Sequence, residues 1–215
     1  MRPISALCLC AVVLGLLVPV ACSNSPPTRF YVLSAIDDVP AAVPGRGIAI
    51  GIGPVTLPQY LNRPQIVTRI GSNQMEFAEF DQWSGDLNDN VTRVLAANLS
   101  SLLKTDRVSL YPWKDEAPID EQVTIDLVNF EQDVDGSSLL TAYWSIVDPR
   151  KPEVKLMRRS TYRDAGGSAQ PASGTAGASQ KGSSRPYDAI VAAMSRNLEA
   201  LSRDIAEAIT RLKAK

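Results

Sequence analysis

Apolar and polar residues alternate with a period of two along most of the chain and switch to a three-to-four spacing in two places, which predicts many strands and two helices. Thr28 to Ser34 (TRFYVLS) is rich in β-branched and aromatic residues, as a strand is. Gly47 to Leu57 sets Ile48, Ile50, Ile52, Val55 and Leu57 against small residues, so its small face should lie close to a neighbour. Ile66 to Ile70 and Met75 to Phe80 flank Gly71-Ser72-Asn73-Gln74 and predict a hairpin. The first helix is expected to be capped by Ser84, with Asp86 in its first turn and Leu87, Val91, Leu95, Leu99 and Leu102 on one stripe as far as Lys104. Arg107 to Tyr111 reads as a short strand ended by Pro112.

The stretch Val123 to Tyr162 reads as three antiparallel strands. In Gln122 to Asp133, Val123, Ile125 and Leu127 share one parity, but Val128 and Phe130 take the other, as a bulge demands. Asp135-Gly136 signals a turn. Leu140, Ala142, Trp144 and Ile146 then share one face before Pro149, and Val154 to Tyr162 is the expected partner. A final helix runs from about Asp188 to Leu212, its stripe formed by Val191, Met194, Leu198, Leu201, Ile205, Ile209 and Leu212. These elements add up to a single α/β (α+β) domain, a mixed, largely antiparallel sheet covered by two main helices. Asp37 to Gly47 is expected to be a loop, and residues 165–186, dominated by Gly, Ser and Ala, cannot offset their ordering entropy and should form a flexible loop inside the domain.

The start of the chain has a different character. Arg2 precedes an apolar run from Ile4 to Ala21, short for a bilayer span, and Cys22 follows directly. A small residue before a cysteine is what lipoprotein signal peptidase requires, so residues 1–21 read as the signal and Cys22 as the site of lipid attachment. Pro19 stands where that motif usually carries Leu, and an uncut anchor or ordinary cleavage nearby are the alternatives. Each of the three puts the body outside the cytoplasm. Ser23, in place of the Asp that retains lipoproteins at the inner membrane, points to the periplasmic face of the outer membrane. Residues 22–27 are polar and Pro-containing, a tether ahead of a domain spanning 28–215.

Composition narrows the chemistry. Cys8 and Cys10 leave with the signal and Cys22 is consumed by lipid, so no thiol remains for a disulfide, a metal or a nucleophile. The sequence has no histidine, which removes Cys/His and Ser/His/Asp catalysis and the usual zinc and iron sites. No serine lies in a G-x-S-x-G motif. No cofactor is expected and an enzyme is not. The 22 basic and 23 acidic residues nearly balance, without a basic stripe, so nucleic acid is an unsuited partner.

Other motif matches have plain structural readings. Gly51-x-Gly53 is followed by Pro54 rather than a helix, so it is no dinucleotide loop. Asp37-Asp38, Asp115-Glu116 and Asp120-Glu121 read as solvated loop pairs. Asp86-x-Asn88-x-Asn90 imitates a calcium loop, but Val91 occupies the required Gly position and the reading is a helix start.

One segment stands out: Pro58-Gln59-Tyr60-Leu61-Asn62-Arg63-Pro64-Gln65-Ile66-Val67, between two predicted strands. Tyr60 and Leu61 can anchor a turn, Pro64 can fix the exit, and Arg63 offers a fork for a carboxylate or phosphate. A structural corner whose Arg caps carbonyls or pairs with Asp is one reading; contact with a partner or lipid phosphate through Tyr60, Leu61, Arg63, Pro64 and Gln65 is the other. The run Pro-x-Tyr-Leu-x-Arg-Pro-Gln-Ile-Val resembles the signature of the ABC-type transport auxiliary lipoproteins, which include the outer-membrane lipoprotein of the paraquat-inducible (Pqi) system. The likeness extends to Cys22, the Phe30-Tyr31-Val32-Leu33 strand, the Trp83 region and the closing helix. It departs at Trp83-Ser84-Gly85-Asp86-Leu87 and at the long Gly/Ser loop. The resemblance implies a non-enzymatic, acyl-anchored auxiliary that docks an MCE (mammalian cell entry) conduit at the outer membrane. It also implies MCE-domain and inner-membrane transporter partners and leaves self-association open. A lipid-shuttling lipoprotein and, further off, an envelope hydrolase are the alternatives.

Overall fold

The computed structural model describes residues 26–36, 47–113, 118–151, 153–166 and 187–214. The signal, Cys22, Asp37-Asp38, Asp115-Glu116 and nearly all of the 165–186 loop lie outside them. In chain order the elements are β1 (Arg29–Tyr31), β2 (Ile50–Thr56), a 3-10 turn (Gln59–Leu61), β3 (Gln65–Gly71), β4 (Gln74–Trp83) and α1 (Leu87–Leu103). There follow β5 (Val108–Leu110), β6 (Glu121–Gln132), β7 (Ser138–Asp148), β8 (Glu153–Asp164) and α2 (Asp188–Lys213). The chain is a single α+β domain.

Strand β6 organises an open, mixed, eight-stranded sheet. Along one edge it pairs antiparallel with β7, which pairs antiparallel with β8, the three-stranded unit expected from the alternation. Its other edge is divided: β2 runs parallel to Glu121–Asp126, and β3 joins, also parallel, where Thr68 pairs with Gln132. Outside these lie β5 beside β2, and β4 then β1 beyond β3. The register slips between Leu127 and Asn129, which is the bulge that the parity change called for, and Val128 is left exposed there.

Both helices cover one face of the sheet, because that is where the large apolar side chains converge. Leu140, Ala142, Trp144 and Ile146 of β7 are at most 1% exposed, and Phe130, Val123 and Ile125 of β6 meet them. Val91, Leu95 and Leu99 of α1 and Leu198, Leu201, Ile205 and Ile209 of α2 complete the core. Burial of each Val, Leu, Ile or Phe among them stabilises by about 1.5–3 kcal/mol. The indole of Trp144 is satisfied by Ser160 Oγ at 3.1 Å. The small face predicted for β2 is real: a Cβ on Gly51 would lie 2.6 Å from Trp113 and 2.9 Å from Ile119.

Several expectations need correction. The N-cap of α1 is Asp86, whose carboxylate accepts from Asp89 N at 2.9 Å; Ser84 instead donates its own N–H to Tyr31 O, tying β4 to β1. Asn88 donates to Val55 O and Asn90 accepts from Leu33 N, so the calcium-like triplet fastens the helix start to its neighbours. Asp120-Glu121 is not a solvated pair. Glu121 opens β6, is 8% exposed and accepts from Lys155 Nζ at 2.8 and 3.0 Å, while Asp120 receives Ala49 N. The first strand is shorter than Thr28 to Ser34, because residues 33–36 turn along the helices: Ser34 N donates to Ser195 Oγ and Ile36 N to Asn98 Oδ1.

Candidate functional site: the corner between β2 and β3

Strands β2 and β3 both run parallel to β6, yet eleven residues separate Thr56, paired with Asp126, from Thr68, paired with Gln132, where β6 itself spans the gap with five. The surplus forms the Pro58–Pro64 corner. Leu61 N bonds to Pro58 O at 2.9 Å and Asn62 N to Gln59 O at 3.1 Å, the single 3-10 turn, after which Arg63 N bonds to Leu61 O. Leu61 is 2% exposed and plugs the core. Pro64 remains exposed, but its carbonyl accepts Trp83 N at 2.7 Å, and Gln65 opens β3 opposite Gln82. A groove of about 360 Å³, lined by Leu57, Gln59, Leu61, Asn62, Asp86, Leu87 and Asn88, separates the corner from the start of α1.

Tyr60 fixes the corner to β6. Its hydroxyl donates to Glu131 Oε2 at 2.9 Å, and that carboxylate, fully buried, also accepts from Arg69 Nη2 at 2.9 Å, Phe130 N at 2.7 Å and Asn129 Nδ2 at 3.1 Å. Four donors and the Arg69 charge let an ionised carboxylate stay inside the protein. Burial first, and then the Glu131 carboxylate, hold the Tyr60 phenol protonated well above its ordinary range.

Arg63 is held differently. Its guanidinium lies 3.8 Å from the centroid of Phe77, an exposed ring across the β3–β4 hairpin, and among the described residues it has no hydrogen-bonded or ionic partner; its Nε is buried without one. Among the described residues it neither caps carbonyls nor pairs with Asp, the structural alternatives at this position. The aromatic platform orients the fork while leaving its outer donors free. Of the sequence-derived set, Tyr60, Leu61, Arg63, Pro64 and Gln65 share this corner, and Cys22 lies outside the described residues.

The sequence alone does not single out Glu131, Arg69 or Phe77. A lone Glu in the strand run Val128 to Gln132 was the available signal for the first. A second, part-buried pair binds β1: Arg29 donates twice to the buried Asp81, both at 2.6 Å, and Tyr31 OH donates at 2.8 Å. The Arg29 hydrogen bonds hold the Asp81 carboxyl below its ordinary range, and burial beside that carboxylate pushes the Tyr31 phenol up to about 12.

The sequence model of the ABC-type transport auxiliary lipoprotein component family matches residues 31–206, most of the chain and all of this corner. The chain belongs to that family. No curated protein matches this auxiliary lipoprotein. Among solved structures, an uncharacterized protein shares its fold with a TM-score of 0.64 at 16% identity, covering 86% of this chain and 99% of that one. Protein XCC0632 from Xanthomonas campestris, of family DUF330, gives 0.63 at 14% identity over 83% and 93%. The PelC dodecamer from Paraburkholderia phytofirmans is more distant, at 0.37 and 13% identity over 75% and 92%. Membership makes the auxiliary lipoprotein a component of ABC-type transport and a protein of the cell envelope. No helix among the described residues is long and apolar enough to cross a membrane.

Proposed function

We propose that this auxiliary lipoprotein is held by acyl groups on Cys22 at the periplasmic face of the outer membrane, where it docks an MCE-domain conduit for lipid transport through the Pro58–Gln65 corner. The observation that carries the docking surface is the guanidinium of Arg63, set over Phe77 and without a hydrogen-bonded or ionic partner among the described residues. A fork oriented by Phe77 and mounted on a corner that Tyr60 and Glu131 hold rigid has already lost its side-chain freedom, so a carboxylate on a partner can bind it bidentately at little further entropic cost. The adjoining groove, with half-buried Leu57 on its wall, offers the apolar contact that a docking surface needs near its charged anchor.

A lipid shuttle is the other reading, and the packing disfavours it. The space between sheet and helices, where a shuttle would keep its acyl chains, is filled by Trp144, Phe130, Leu95, Leu99 and Met194, each at most 2% exposed.

Binding of the full chain, in detergent, to the purified periplasmic part of an MCE protein tests the docking. Arg63→Glu should weaken that binding at least tenfold with an unchanged melting temperature. Unaltered affinity would overturn the role of Arg63, and no binding to any MCE protein would overturn the partner. Anchoring is tested separately: Cys22→Ser should release the protein from membranes, and unchanged fractionation removes the anchor.

A further inference from the structure

Strand β1 joins the sheet parallel to β4, with Arg29, Phe30 and Tyr31 beside Asp81, Gln82 and Trp83. Parallel pairing aims the chain ahead of Arg29 toward the beginning of β4, at the β3–β4 hairpin. The Arg29–Asp81–Tyr31 contacts hold that direction. From Cys22 to Thr28 there are seven residues, with a reach of at most about 25 Å. The seven residues of β4 from Gln74 to Phe80 cover about 23 Å. A tether of that reach is long enough for its acylated end to come level with the hairpin tip.

The same end of the sheet holds the β6–β7 turn, since Thr68 and Gln132 are paired in parallel strands; Ile70 and Val134 each lie two residues further on. Ile70 is 46% exposed and Val134 59%. The hairpin tip just beyond Ile70 is uncharged, Ser72-Asn73-Gln74. The acids of the turn are answered: Asp133 by Arg163 at 2.7 Å and Arg69 at 4.0 Å, Asp135 by Arg163 at 3.6 Å. The opposite end, around the β7–β8 turn, carries Asp148, Arg150, Lys151 and Glu153, with Asp148 answered by Lys155 at 3.5 Å and Arg150 at 3.9 Å.

We propose that the end of the sheet formed by the β3–β4 hairpin and the β6–β7 turn rests on the zwitterionic lipid surface, with Ile70 and Val134 as its apolar contacts. This inference rests on the acyl anchor at Cys22 and deepens it, because tethering turns a weak apolar contact into an intramolecular one at high effective concentration. The sheet then stands upright on the membrane, and β6, β7 and β8 carry their far ends into the periplasm.

The acylated full chain, reconstituted in phosphatidylethanolamine-rich vesicles containing spin-labelled lipid, provides the test. Asn73→Cys, Val134→Cys and Arg150→Cys each introduce the one free thiol of the mature chain, for an environment-sensitive fluorophore. The two ends of β7 are about 33 Å apart, so emission should fall by roughly half or more at 73 and 134 and by less than about a tenth at 150. Quenching at 150 equal to or greater than at 134, with the chain still vesicle-bound, overturns the orientation and leaves the anchor standing. A chain that washes off the vesicles and bears no acyl mass overturns both.

Discussion

Removing the Tyr60 hydroxyl is the sharpest single perturbation of the corner. Tyr60→Phe keeps the ring that packs the corner on β6 and deletes one of the four donors around a carboxylate with no solvent exposure. A hydrogen bond to a charged group is worth about 1.5–3 kcal/mol, and here no water can replace the lost donor. In a domain of this size each kcal/mol moves the midpoint by about 2–4 °C, so thermal unfolding of the full chain in detergent should fall by roughly 4–10 °C. Glu131→Gln provides the matching arm. It leaves Arg69 without its main anion, though Asp133 lies 4.0 Å from Arg69 Nε and softens the loss to about 2–3 kcal/mol, under the 3–5 kcal/mol of a sealed pair. With the charge gone, the hydroxyl has a weaker acceptor, so Tyr60→Phe should cost about half as much in the Glu131→Gln background. A midpoint shift under about 1 °C for Tyr60→Phe, or the same shift in both backgrounds, would refute the view that this network holds the corner.

Acid should loosen the attachment of β1. The Asp81 carboxyl titrates below its ordinary 3.8 because Arg29 hydrogen-bonds its charged form, so its stabilisation is complete above the unfolded value and disappears as pH falls through the lower folded one. Denaturation followed from pH 6 to pH 2 should therefore be steeper below about 4 in the native chain than in Asp81→Asn, and parallel curves would contradict this. Asn98, fully buried, accepts from Ile36 N at 2.8 Å and bridges to Ser202 Oγ at 3.1 Å; Asn98→Ala should cost about 2–4 kcal/mol in urea unfolding, and a loss under 1 kcal/mol would contradict the bridge. Gly51→Ala places a methyl 2.6 Å from Trp113 and should cost about 1–3 kcal/mol while raising the mobility of the indole by fluorescence anisotropy.

The elements whose signal is local were readable in the chain. The β6–β7–β8 unit announced itself through alternation and turn residues, the bulge through the parity change at Val128, and α2 through a stripe that the structure buries. Non-local pairing was not readable: nothing in the residues of β2 and β3 says that both run parallel to β6 and divide its edge. That division also explains the corner, since the signature fills the gap that two strands leave on one partner. The cap was misplaced by two residues because Ser84 and Asp86 are both good capping types, and the choice fell to the bond Ser84 makes to Tyr31. Arg63 was recognised as a fork, but its partner is Phe77, a ring brought over it by the hairpin rather than by sequence proximity. The burial of Glu121 and Glu131 was hidden for the same reason, as Lys155 reaches one from β8 and Tyr60 the other from the 3-10 turn, both far away in sequence.

The central claim, that the corner docks an MCE-domain partner from an acyl-anchored position, is tested most directly by photo-crosslinking in intact cells. A crosslinking residue at Asn62 or Pro64, both exposed beside Arg63, should yield an adduct with an MCE-domain protein in the membrane fraction, and Arg63→Glu should abolish it. An adduct that survives Arg63→Glu, or crosslinks from this corner that reach no MCE-domain protein at all, would contradict the account.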